Sequence, residues 1–87
     1  MINYNELPSF IRNSTTLTEQ DKLNLCNIEH LPLDSEIDEI RNLNEIRELT
    51  NAFIGDESTR DTHLQLKAKE YLAVGDIVMA WKVMLLN

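Results

Sequence analysis

Residues 34–54 read DSEIDEIRNLNEIRELTNAFI, and what this stretch must bury decides the fold. At about 100° per residue on a helix, Ile40, Leu43, Ile46, Leu49, Phe53 and Ile54 cover roughly half the circumference. The spacing predicts one helix over 35–54 that packs against more than one neighbour. Asp34 or Ser35 is placed to cap it, and Glu36 and Asp38 favour the positive end of its dipole. Gly55 follows as a left-handed stop. The opposite wedge holds Asp38, Arg41, Asn44, Glu45 and Glu48, a charged face turned to water.

Upstream, Pro32 ends a helix expected over 19–29, because the residue before a proline is pushed out of the helical region. That helix opens on Thr18-Glu19-Gln20-Asp21, which resembles a capping box with Asp in place of Glu. Leu7, Phe10 and Ile11 predict a first short helix over 5–12, with Asn5 as cap and Pro8 in the first turn. Asn13–Thr16 is turn chemistry.

Downstream, Ser58 or Thr59 is the expected cap of the last segment, with Leu64, Ala68, Tyr71, Leu72, Gly75, Val78, Met79 and Leu85 at helical period. Beyond Gly75 the other side turns apolar too, with Ile77, Ala80, Trp81 and Met84. Such a segment is either the central helix of a bundle or half of an interface between chains. In the second case Ile77, Trp81 and Met84 are the side chains through which a homo-oligomer would form. Gly75 either sits within one long helix or divides it into 60–74 and 77–86. Ala68, Tyr71, Gly75 and Ala80 resemble half of a tetratricopeptide unit, but a lone unit cannot bury its own faces, so the spacing assigns no family. No alternating strand pattern occurs. The expectation is an all-α fold, a compact four- or five-helix antiparallel bundle with short loops, in one domain over 1–87.

Eighty-seven residues at 43% hydrophobic leave room for one modest core and none for a two-lobed enzyme. Polar residues punctuate Met1–Thr16, and Gly75, Asp76 and Lys82 interrupt the longest apolar stretch, so neither signal peptide nor membrane span is expected and the protein reads as cytoplasmic. The net charge is −7. Residues 29–61 carry ten acidic and three basic side chains, and the flanking segments are close to neutral. A field of this sign disfavours nucleic acid and anionic membrane and steers a basic partner inward.

Cys26 and His30 stand four apart with Glu29 between, the spacing of two ligands on one helix face. Two ligands do not make a tetrahedral site, and a cysteine–histidine pair on one helix has no oxyanion pocket, so neither metal nor covalent catalysis is expected. No cofactor is expected either, since phosphate loops, dinucleotide fingerprints and nucleophile elbows are absent from the sequence. The paired carboxylates fall on caps and a polar wedge, not in a dry cleft. Together these features point to a non-enzymatic protein that binds a protein target with a basic surface. Asp34, Glu36, Asp38, Glu45 and Glu48 would be the binding face, as in small stoichiometric inhibitors of the immunity, antitoxin or phage anti-defence type. Two alternatives are an adaptor subunit assembling through the C-terminal helix, and a binder of a small anion at Lys67, Lys69 and Lys82 near Tyr71.

Overall fold

Gly75 adopts a φ of +81°, and this one left-handed residue divides the C-terminal segment. Its amide bonds to the Leu72 carbonyl at 3.1 Å and the Asp76 amide to the Tyr71 carbonyl at 2.9 Å, the paired bonds of a Schellman stop. Asp76 then accepts the Met79 amide at 3.2 Å and caps the helix that follows. Nothing lies within 4 Å of where a Cβ would stand at Gly75, so the dihedral angle, not crowding, calls for glycine.

A computed structural model describes the backbone of residues 1–52 and 57–86 and the side chains of 1–52 and 61–86. A 3₁₀ turn at Tyr4–Glu6 leads into α1 (Ser9–Arg12), α2 (Glu19–Leu25), α3 (Asp34–Ile40), α4 (Asn44–Ala52), α5 (Glu57–Ala73) and α6 (Ile77–Met84). The described residues form a compact all-α globule of six helices, five of them seven residues or longer, with no strand. No described helix is long and apolar enough to cross a membrane.

The helix expected over 35–54 is two helices, separated by a turn at 41–43. Its register explains why. Ile37 and Ile46 are nine residues apart, as are Ile40 and Leu49, and nine helical steps amount to about 180°. One continuous helix would point the members of each pair in opposite directions. The break re-aims them, so Ile37, Ile40 and Ile46 are buried in one cluster with Leu49 packed against it. Asn42 and Asn44 are the residues that tolerate it, since their side chains compete with helical backbone bonds. Leu43, expected in the apolar arc, is exposed. Phe53, Ile54 and Gly55 lie outside the described residues, and α5 starts at Glu57, ahead of the expected caps Ser58 and Thr59.

Two other boundaries shift. Leu7 is extended at ψ 135°, as its position before Pro8 dictates, so the segment expected over 5–12 splits into the 3₁₀ turn and α1. The Thr18 capping box forms as expected, with Asp21 accepting the Thr18 amide at 3.0 Å and Thr18 accepting the Asp21 amide at 3.1 Å. The helix it opens stops at Leu25 instead of 29. There the Leu25 carbonyl accepts the Trp81 indole N–H at 2.8 Å and the Cys26 carbonyl accepts the Ile2 amide at 3.0 Å. Both carbonyls are thereby satisfied from outside the helix.

The same device recurs through the irregular N-terminal third. Arg12 donates to the Leu7 carbonyl at 2.9 Å, the buried Lys22 to the Arg12 carbonyl at 2.8 Å, and Lys69 to the Thr16 carbonyl at 3.1 Å. Ser14 accepts the Thr16 and Leu17 amides, each at 3.2 Å, and its hydroxyl proton goes to Gln65 on α5 at 2.6 Å. Long basic and polar side chains take the place of regular backbone pairing here.

α6 runs between two apolar clusters. Ala80, Trp81 and Met84 join Leu7, Ile11, Leu17, Leu25, Cys26, Ile28 and Ala68 on one side. Val83 joins Ile37, Ile40, Ile46, Leu64 and Leu86 on the other. This is why α6 is apolar nearly all round. Of the three residues considered for self-association, Trp81 and Met84 are buried in the monomer's own core and Ile77 is half-buried against it. Trp81 and Met84 fill the fold, and Ile77 keeps part of its side chain at the surface.

Trp81→Phe keeps most of the apolar volume but strands the Leu25 carbonyl, and it should lower the unfolding free energy in urea by about 1–3 kcal/mol. Trp81→Ala, which also opens a cavity, should cost about 3–5 kcal/mol. Gly75→Ala should cost about 1–2 kcal/mol through the positive φ alone, and Gly75→Asn less, with the order read from circular-dichroism melts.

Candidate interaction surface

Every acidic residue expected on the binding face is on α3 or α4, but the turn at 41–43 divides them into two groups. Asp34, Glu36 and Asp38 belong to α3, Glu45 and Glu48 to α4. Asp34, Asp38 and Glu48 are exposed and Glu36 is half-buried. Glu36 also serves the fold, its Oε2 accepting the Leu33 amide at 2.9 Å where α3 begins. Asp38 pairs with Arg41 at 2.8 Å on the surface. Glu39, not singled out by sequence, is likewise exposed on α3. A shallow cleft lined by Asp34, Ile37, Asp38, Arg41 and Leu85 runs along this helix.

Glu45 departs from the expected role. It accepts a short hydrogen bond from the Tyr71 hydroxyl and pairs with Lys67 at 3.4 Å, both on α5. Lys67 also pairs with Glu70 at 3.0 Å and lies 5.7 Å from the Tyr71 ring centre. The hydroxyl bond, with the nearby lysine, holds the Glu45 carboxyl below its usual range. Burial first, and the Glu45 bond second, push the Tyr71 phenol up to about 12. The bond to Glu70, and then the charge of Glu45, raise the Lys67 ammonium against the opposing effect of desolvation. Glu45 therefore ties α4 to α5, and sequence could not show it because its partners are 22 and 26 residues away.

The same contacts involve two of the three lysines of the anion-site alternative. Lys67 is paired with Glu45 and Glu70, and Lys69 bonds to the Thr16 carbonyl and approaches Asp21 at 3.7 Å. Their charges are used within the fold. Cys26 and His30 are separated by the early end of α2: Cys26 is buried with its thiol on the Lys22 carbonyl at 3.5 Å, while His30 is exposed in the following loop. Burial, with the charge of Glu6 adding to it, pushes the Cys26 thiol up. Among the described residues no group of three or more His, Cys, Asp or Glu side chains is arranged to hold a metal ion.

The loop joining α2 to α3 carries a feature that composition alone does not show. Leu31 and Leu33 are exposed there, as is Val78 at the start of α6. Ile28, Pro32 and Val78 line a groove of about 310 Å³ together with Asn27, Glu29, His30 and Glu36. Apolar and acidic side chains thus share one depression.

Tyr71→Phe should raise the Glu45 pKa toward its ordinary range, measured by carboxyl-carbon NMR. The folded phenol titrates above its ordinary value of 10.0, so its contribution to stability is present below pH 10 and is lost as the pH climbs through about 12. The depressed Glu45 behaves oppositely: its contribution is held at neutral pH and lost as the pH falls through its folded value. Tyr71→Phe should flatten both ends of the stability profile.

Comparison with protein-family models, with curated proteins and with solved structures finds no match to this chain.

Proposed function

We propose that this chain is a stoichiometric protein-binding protein, doing no chemistry of its own, that places its acidic α3–α4 surface on a basic surface of its target. This is the mode of action of immunity, antitoxin and phage anti-defence inhibitors. The observation that supports the reading is that Asp34, Glu39 and Glu48 are exposed and hold no ion pair among the described residues. In a chain of net charge −7 such carboxylates repel one another, and arginine or lysine side chains on a partner relieve the repulsion. Carboxylates would then stand where a nucleic-acid-binding target holds phosphates. No ion pair among the described residues asks for a carboxylate at Glu39 or Glu48, while Asp34 lies in the first turn of α3, where its charge also favours the helix dipole. Trp81 and Met84, two of the side chains through which a homo-oligomer would form, are internal, which weighs against the adaptor reading.

The test is the triple variant Asp34→Lys, Glu39→Lys and Glu48→Lys, with Glu45 left in place because it holds α4 to α5. The variant should fold within about 2 kcal/mol of the parent. Against the partner captured by the parent chain from its host, association should slow by about tenfold or more at low salt, with the difference shrinking as salt rises. Unchanged and salt-independent association would overturn the proposal.

A further inference from the structure

The loop between α2 and α3 is held at both ends. The Cys26 carbonyl takes the Ile2 amide at 3.0 Å, the Asn27 amide reaches the Asn24 carbonyl at 3.1 Å, and the Leu33 amide is fixed by Glu36 at 2.9 Å. Pro32 stiffens the stretch between. A loop this well anchored nevertheless leaves Leu31 and Leu33 in water, 36% and 61% exposed, with Val78 of α6 48% exposed. Exposed apolar side chains on fixed backbone, rimmed by polar groups, mark a contact surface.

Two carboxylates, those of Glu29 and Glu36, line the adjoining groove together with the Asn27 amide and the His30 ring. Glu29 is exposed and makes no ion pair among the described residues, and Glu36 spends one oxygen on the Leu33 amide and keeps the other. His30 Nδ1 lies 2.9 Å from the Leu31 carbonyl. A carbonyl only accepts, so Nδ1 carries a proton. Against the two carboxylates stands the apolar side of the groove, Ile28, Pro32 and Val78. An anion is repelled here, and a purely apolar group would desolvate two carboxylates without return. The chemistry that fits is a donor-rich cation on an apolar stem.

We propose that this groove takes an arginine side chain of the partner protein, with flanking apolar residues of that partner covering Leu31 and Leu33. The proposal rests on the protein-binding reading and names the anchoring contact within it. Arginine is favoured over lysine because its planar fork of five N–H donors reaches two carboxylates at once. It also sheds water more readily than a compact ammonium. Its methylene stem lies along Ile28, Pro32 and Val78 while the guanidinium meets Glu29 and Glu36.

The experiment uses the full chain and the peptide Ac-Leu-Arg-Leu-NH₂ as probe, read by the methyl resonances of Ile28 and Val78. Saturable shifts are expected in the millimolar range, roughly the strength of one good ionic contact. The lysine analogue should bind several-fold more weakly and the glutamine analogue about tenfold more weakly. The double variant Glu29→Gln and Glu36→Gln should weaken the arginine peptide about tenfold while staying folded, since the side-chain amide that replaces the Glu36 carboxylate still offers an oxygen to the Leu33 amide. Equal binding of all three peptides, no saturable shift, or an undiminished affinity of the double variant would each overturn the arginine assignment. Those results leave the broader reading intact so long as the captured partner still responds to the reversal of Asp34, Glu39 and Glu48. Failure of that response overturns the broader reading, whatever the peptide does.

Discussion

The indole of Trp81 donates its one hydrogen bond to the Leu25 carbonyl, across 56 residues of chain, and the arrangement of the rest follows from that contact. A tryptophan that is fully buried must find an acceptor for its N–H, and a helix that ends inside a protein must find donors for its last carbonyls. Each need is met by the other. The bond sets where α2 stops and how α6 is rotated about its axis. It also fixes where the loop leading to α3 departs.

With Trp81 turned toward the N-terminal half, Val83 on the same helix turns toward α3 and α4. Ala80, Trp81, Val83 and Met84 of α6 are buried while Val78 is exposed, so the apolar composition of the helix records a position between two layers. Exposed apolar side chains are carried elsewhere, on the loop before α3 and on Val78 at the margin of α6.

Much of this is legible in the sequence where the cause is local. The Thr18 cap, the helical class of the chain and the candidate break at Gly75 each rest on a few neighbouring residues, and each is present in the fold. The turn at 41–43 is legible only in part. Counting Ile40 to Ile54 as one arc leaves Ile37 outside it, and the position of Ile37 opposite Ile46 is the signal that one straight helix could not bury both. The role of Glu45 is not legible at all, because a carboxylate on a polar wedge looks the same whether water or Tyr71 lies beyond it. Asp34, Asp38 and Glu48 read correctly as surface residues because nothing distant among the described residues claims them.

Cys26 gives the closure between α2 and α6 a chemical clock. It is the chain's one thiol, buried beside the carbonyl that Trp81 holds, and it ionises less readily than a free cysteine. An alkylating reagent reaches it only when that junction comes apart. The rate of labelling under native conditions therefore counts openings of this one joint, independently of fraying at the surface helices. A bound partner that steadies the neighbouring loop would slow the clock without touching the thiol.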